Sequence, residues 1–279
     1  MKSVHRLLRR YGLRPHKRLG QHFLVNEGAL AQIVAAAELG PEEAVLEVGA
    51  GLGTLTRALS AACGEVVAVE IDRQLVAALQ EELADCPNVR VVQGDILDLD
   101  PANLMGERRY KVVANLPYAI TSALLRHLLE ARVPPQRMVL TVQREVAERI
   151  VARDGRMSLL AVSVHFYGQP ELLLRLKPGS FYPPPDVESA VIRIDLHPRP
   201  PAEVDDVEHF FRVVRAGFSQ RRKQLHNSLA AGLRLGPRVV TRALHEAGID
   251  PRRRAERLSV EDWRRVTKAL KQLVRDLQD

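Results

Sequence analysis

Short β-branched runs alternate with amphipathic stretches from about Ala44 to Leu196. Ala44-Val45-Leu46-Glu47-Val48 reads as a strand, as do Val66–Ile71, Val89–Val92, Lys111–Ala114, Met138–Val142 and Ala190–Ile194. Thr54–Ala62, Arg73–Ala84, Thr121–Ala131 and Arg144–Val151 read as helices between them. Strands separated by helices of that length imply right-handed crossovers and a mostly parallel sheet covered on both faces. The last strand differs. Leu172–Leu176 precedes it across a Pro-rich turn and can pair with it, so an antiparallel strand is expected late in the sheet.

The pattern stops at His197-Pro198-Arg199-Pro200-Pro201, where three prolines disfavour both helix and central strand. Val207–Phe218, Lys223–Leu233, Arg238–Ala247 and Val260–Leu277 then read as helices, with Ser259 an N-cap for the last and Asp262 in its first turn. The expectation is an α/β domain over residues 1–197, including a basic N-terminal segment, and a small all-helical domain over residues 198–279.

Composition narrows the class. The 279 residues are 46% hydrophobic and 27% charged, enough for a sizeable core. A net charge of +7 fits a polyanionic partner. Cys63 and Cys86 form no C-x-x-C pair and no His/Cys cluster has zinc spacing, so two buried reduced thiols and no metal are expected. No stretch approaches the ~20 apolar residues that span a bilayer. The chain reads as cytoplasmic, with no membrane partner and nothing that demands more than a monomer.

Candidate chemistry collects at strand ends. Glu47-Val48-Gly49-Ala50-Gly51-Leu52-Gly53-Thr54 sits where the first strand turns into a helix, and its glycines let a ligand approach the backbone closely. A dinucleotide fingerprint is G-x-G-x-x-G; here Thr54 stands at the third glycine's place. Glu70 ends the second strand and can accept both hydroxyls of a ribose, which suits NAD and S-adenosylmethionine equally. Asp95, in Gly94-Asp95-Ile96, can accept from an adenine amino group or simply cap a turn. The strand-end loops converge on one crevice in a doubly wound sheet.

Asn115-Leu116-Pro117-Tyr118 follows the fourth strand. The adenine 6-amino group is a poor nucleophile because its lone pair is delocalised into the ring. A site that methylates it should accept hydrogen bonds from the NH₂, freeing the lone pair towards the incoming methyl. Asn115 can accept one and a backbone carbonyl held by the rigid Pro117 the other, while Tyr118 offers a stacking face. Positioning and preorganised electrostatics then supply most of the catalysis. A Pro turn with an Asn cap and a core tyrosine is the plainer alternative.

With these motifs the chain resembles the ribosomal RNA adenine dimethyltransferase family, in its bacterial 16S branch, over nearly its whole length. Lys17-Arg18-Leu19-Gly20-Gln21-His22-Phe23-Leu24 resembles the family's entry motif, often Asn where this chain has His22. The resemblance implies a Rossmann-like class I S-adenosylmethionine methyltransferase domain. It implies cofactor contacts at His22, Leu24, Gly49, Gly51, Glu70, Asp95 and Asn115. Phe181-Tyr182-Pro183-Pro184-Pro185 resembles the family's aromatic-proline loop, in which Phe181 would stack on a flipped adenine opposite Tyr118. The implied activity is dimethylation of the exocyclic amine of two adjacent adenosines in the 3′-terminal hairpin loop of 16S rRNA, in the 30S subunit or its precursor, with a role in 30S biogenesis.

Basic residues cluster at Arg6, Arg9, Arg10, Arg14, Lys17 and Arg18, at Arg221-Arg222-Lys223, and at Arg252-Arg253-Arg254. Such runs usually form a solvated face; three of them in a basic chain favour phosphate contacts. The segment containing Arg221, Arg222 and Lys223 also resembles the family's entry to its helical domain, which implies RNA binding there. Other readings are a 23S rRNA adenine methyltransferase, a DNA adenine methyltransferase, a ribosome-assembly factor that acts by binding, and an oxidoreductase. Thr54 argues against the last, and Leu116 in place of proline argues against DNA.

Overall fold

Buried β-branched runs form the strands, and a computed structural model describes them within residues 4–16, 19–153, 155–198 and 206–276. The chain begins with helix α1 (Val4–Arg10), the two-residue strand β1 (Phe23–Leu24) and α2 (Glu27–Ala36). An alternating series follows: β2 (Ala44–Val48), α3 (Thr54–Ser60), β3 (Glu65–Glu70), α4 (Arg73–Glu82), β4 (Val89–Gln93), α5 (Pro101–Met105), β5 (Lys111–Asn115), α6 (Thr121–Leu129) and β6 (Arg137–Gln143). Then come α7 (Arg144–Ile150), α8 (Leu159–Tyr167), β7 (Gly168–Leu176), β8 (Phe181–Tyr182) and β9 (Ser189–Leu196). Helices α9 (Val207–Phe218), α10 (Leu225–Leu233), α11 (Pro237–Glu246) and α12 (Val260–Asp276) complete the chain.

The main sheet runs β4-β3-β2-β5-β6-β9-β7. Strands β4 to β6 are parallel in that row, and β9 is antiparallel to β6. The late antiparallel strand is therefore present, and β7 lies beside it as an edge strand, the position that tolerates its Pro170. Every residue of β2 is buried, as a central parallel strand covered on both faces requires. The order reverses between β2 and β5, so the loops leaving these two strands diverge and open a crevice.

The chain divides into two compact units: Met1–Glu148 with Gln169–Leu196, and Arg149–Gly168 with His197–Asp279. The expected single boundary after His197 thus misses α8, which belongs with the helical unit. The reason is packing. Phe166 of α8 is fully buried, with its ring stacked 4.6 Å from Phe210 and edge-on 5.1 Å from Phe211. Much of the proposed linker, Arg199-Pro200-Pro201, lies outside the described residues.

Local signals end the helices where the sequence expects. Ser259 Oγ accepts from Asp262 N at 3.1 Å while Asp262 returns the bond to Ser259 N at 3.0 Å, a capping box for α12. Cys63 is buried, as expected, and its thiol is pushed up to about 11 by that burial. Cys86, expected to be buried, is only half-buried. No helix of the described residues is long and apolar enough to cross a membrane.

Gly217 in α9 carries the one tryptophan of the chain against its backbone: a Cβ there would come within 2.3 Å of the Trp263 ring. Gly217→Ala is expected to destabilise the helical unit by about 1–3 kcal/mol through overpacking. Urea denaturation followed by Trp263 fluorescence measures this directly.

Candidate active site

Strand ends and the segment before β1 enclose one cavity of about 290 Å³. Its wall includes His22, Leu24, Gly49, Gly51, Glu70, Asp95, Asn115, Leu116, Pro117 and Tyr118. Ten of the eleven residues singled out from sequence as cofactor-binding or catalytic therefore meet in one place. Phe181 is the exception.

The glycine loop leaves β2 in left-handed turns, with φ of +72° at Gly49, +59° at Gly51 and +77° at Gly53. A side chain at Gly51 would come within 3.0 Å of the Phe23 ring, and one at Gly53 within 2.7 Å of Leu79. Both conformation and space demand glycine at these two positions. Helix α3 starts immediately afterwards, and its Thr54 also lines the cavity.

Glu70 is held from both sides. Gly51 N donates to Oε2 at 2.8 Å and Asp72 N donates to Oε1 at 3.0 Å. Burial raises its pKa, and these amides act in the opposite direction. Each oxygen retains acceptor capacity for a hydroxyl. Asp95 fulfils the turn-cap reading through Oδ1, which accepts from Leu97 N at 3.0 Å. Its Oδ2 has no hydrogen bond to the described residues, so the second reading stays open chemically. Ile71, 48% exposed, adds an apolar wall that the sequence reading did not single out.

Asn115 Nδ2 donates to the His22 carbonyl at 2.8 Å. A carbonyl can only accept, so this bond sets the amide's orientation and leaves Oδ1 as a free acceptor. The Pro117 carbonyl already accepts from Ile120 N at 3.2 Å, starting the turn that leads into α6. The Leu116 carbonyl accepts nothing from the described residues. Leu116 is itself buried, so its backbone is what it can offer. The Tyr118 hydroxyl sits 2.7 Å from Ser189 Oγ, and burial raises the phenol's pKa.

The sequence expectation that Phe181 faces Tyr118 meets a different arrangement. Strand β8 pairs antiparallel with β1, with Leu24 opposite Phe181 and Phe23 opposite Tyr182. Side-chain alternation then turns Phe181 inward, where it is 3% exposed in the core with Leu24, Ile33 and Val191. The ring beside Tyr118 is His22, with centroids 5.8 Å apart and planes 21° from parallel.

The sequence profile of the family described as "Ribosomal RNA adenine dimethylase" matches residues 12–272. The chain belongs to this family. It is 47% identical over 267 residues to the "Ribosomal RNA small subunit methyltransferase A" of Dehalococcoides mccartyi, covering 95% of this chain and 92% of that one. The protein of the same name from Moorella thermoacetica is 46% identical over 275 residues, with 95% of each chain covered. Among solved structures, the 23S rRNA methyltransferase ErmE superposes with a TM-score of 0.72 at 30% identity, over 89% of this chain and 99% of that one. A dimethyladenosine transferase from Plasmodium falciparum shares the fold at a TM-score of 0.78 and 23% identity, over 91% of this chain and 98% of that one.

The cofactor of this dimethylase is S-adenosylmethionine, and the cavity suits it: a glycine-lined approach, a carboxylate with two usable oxygens, a spare aspartate oxygen and apolar walls. No group of three or more His, Cys, Asp or Glu that could hold a metal occurs among the described residues. Arg221, Arg222 and Lys223 lie in the exposed turn after α9 and form no ion pair with the described residues. The N-terminal basic run is partly spent within the protein, since Arg10 pairs with Glu81 at 2.5 Å and Glu82 at 3.0 Å. Lys17 and Arg18 lie outside the described residues.

Glu47, which opens the glycine-loop motif, is not among the site residues expected from sequence. It lines the cavity, is 1% exposed, and its Oε2 has no hydrogen-bond partner among the described residues. The visible signal was a lone acid within an apolar strand. Burial, with the nearby Glu70 adding, pushes its pKa up to about 8. Between about pH 4.5 and pH 8 the unfolded chain ionises Glu47 while the folded one keeps it neutral, so this group's contribution to stability falls as pH rises. Glu47→Gln should therefore stabilise the dimethylase by about 1–3 kcal/mol at about pH 8 and hardly at all at about pH 5. Denaturant unfolding at both pH values is the measurement.

Proposed function

We propose that this chain transfers methyl groups from S-adenosylmethionine to the exocyclic amines of two adjacent adenosines in the 3′-terminal hairpin loop of 16S rRNA, within the 30S subunit or its precursor. It acts as a monomer in the cytoplasm and contributes to 30S biogenesis. One observation carries the chemistry: the Asn115 side chain, oriented by the His22 carbonyl, leaves Oδ1 free beside the open Leu116 carbonyl. Two acceptors at that spot match the two hydrogens of an amine.

Each residue then has a task. Glu70 takes the ribose hydroxyls of the cofactor and Asp95 Oδ2 its adenine amine. Gly49 and Gly51 let the methionine part approach the backbone, and His22, Leu24 and Asn115 close the wall. The bound cofactor supplies an electrophilic methyl group. Asn115 Oδ1 and the Leu116 carbonyl accept from the target amine and turn its lone pair out of the ring. Pro117 keeps that carbonyl in place, and Tyr118 stacks on the flipped base. Phe181, buried as described, would have to swing out to stack on the opposite face. Arg221, Arg222 and Lys223 hold RNA phosphates, which position the substrate without reading its sequence.

Support for the small-subunit target comes from relatives 46–47% identical that carry that name over at least 92% of their length. The likeness to a 23S rRNA enzyme is weaker, at 30% identity. A role through binding alone leaves the complete acceptor set without a purpose.

The test is to incubate the protein and S-adenosylmethionine with unmethylated 30S particles, then analyse nuclease digests by mass spectrometry. Dimethyladenosine is expected at two neighbouring positions. Methyl groups on 23S rRNA or duplex DNA instead would overturn the substrate assignment. Asn115→Ala should lower turnover by about 10²–10³-fold while still binding the cofactor weakly. Unchanged turnover in that variant removes the role given to Asn115.

A further inference from the structure

One carboxyl in the cavity wall has nothing to hold. Glu47 is the penultimate residue of β2, lines the cavity and is 1% exposed. Its Oε2 has no hydrogen-bond partner among the described residues, and neither has the hydroxyl of nearby Thr56 on α3. Native structures seldom keep a buried polar atom in that state without a use.

Its neighbours in the sheet bear on what can reach it. Glu47 stands between Ala68 of β3 and Val113 of β5. Side chains alternate along a strand, so Glu47 shares a face with Glu70 and Asn115, each two residues further along those neighbours. The donor's sulfur joins three arms: the ribose side, the methyl group and the amino-acid chain. Glu70 is assigned to the first and Asn115 stands where the second is delivered. Glu47 and Gly49, two residues after it, are left for the third.

We propose that Glu47 seats the amino group of the donor's amino-acid arm and gives up its own proton when that cation enters; this rests on the reading that puts the ribose at Glu70 and the methionine part at the glycine loop.

Charge drives the exchange. Burial, with Glu70 adding, pushes the carboxyl's pKa up to about 8, so without a cation beside it the group is neutral. An α-amino group is mostly an ammonium at about pH 7. An opposite charge within about 4–6 Å lowers a carboxyl's pKa by about 1–3, which brings Glu47 to about 5–7. The proton leaves to solvent, the ammonium keeps all its hydrogens, and the carboxylate accepts from it. Donor affinity therefore rises between about pH 6 and about pH 8, because the proton that binding discards becomes easier to lose. No built-in cation competes: among the described residues no lysine or arginine lines the cavity. Arg57 of α3 is engaged with Asp85 at 2.9 Å, and Lys111, at the opposite end of β5, pairs with Glu43 at 2.7 Å. Glu70 and Asp95 are the other acids on the wall, and His22 and Tyr118 its remaining titratable groups.

Titration calorimetry with S-adenosylhomocysteine, which keeps the amino group but cannot react, tests this. Measured at about pH 7 in two buffers of different ionisation heat, binding should release about 0.4–0.9 proton per ligand. Glu47→Gln keeps the side chain's size and cannot ionise. It should lose that release and bind S-adenosylhomocysteine about ten- to a hundredfold more weakly at about pH 7.5. The analogue with hydrogen in place of the amino group should bind wild type and variant within about threefold of each other and release no proton. Undiminished proton release in Glu47→Gln overturns the role of Glu47. Equal weakening of both ligands overturns it too, by showing a loss of cavity shape instead. Wild-type protein that binds neither ligand overturns the placement of the donor in this cavity, the reading beneath the proposal.

Discussion

One hydrogen bond ties the end of β5 to the segment that lies before β1 along the cavity. Asn115 stands at the end of β5, and the carbonyl it holds belongs to His22, just before β1. Strand β5 is on one side of the point where the sheet order reverses, and the glycine loop leaves β2 on the other. The segment before β1 has no place in the main sheet. This bond, the Gln21–Asp72 and His22–Pro183 hydrogen bonds and the short β1–β8 pairing hold it in place. Without them the cavity would lose a wall, and the Asn115 amide would lose its reason to point one way.

Charge is treated differently in different parts of the chain. In the first unit, arginines near the sheet are matched: Arg137 pairs with Glu38 at 2.7 Å and Asp195 at 2.5 Å, and Arg193 reaches Glu171 at 3.0 Å. Acids in the cavity are instead left without cations. Glu70 is stabilised by backbone amides, and Glu47 avoids the cost of ionisation by staying protonated. In the turn after α9 the cations are the unmatched partners. Among the described residues the cavity thus gathers acids and the turn after α9 exposes cations.

Much of this was legible because the signals were local. The first sheet strand matches its expected range, Ala44–Val48, and α9 matches Val207–Phe218, since a short apolar, β-branched run and amphipathic spacing are written residue by residue. Helix α8 was hidden for the opposite reason. Leu159–Tyr167 is apolar nearly all round and rich in aromatic and β-branched residues, so periodicity cannot separate buried helix from strand. At the site, strand-end position alone located Glu70, Asp95 and Asn115. The placement of Phe181 depended on a pairing between residues 23–24 and 181–182, too short and too distant in sequence to leave a pattern. Glu47 was visible but mute, because an acid in a strand looks the same whether it meets solvent or a closed cavity.

All residues around the cavity come from positions 19–120, so a donor bound there as proposed would touch only the first compact unit. A ligand that binds the folded form alone adds RT ln(1 + [L]/Kd) to the stability of what it binds. On the proposed assignment the supply of S-adenosylmethionine would therefore also add to the stability of that unit.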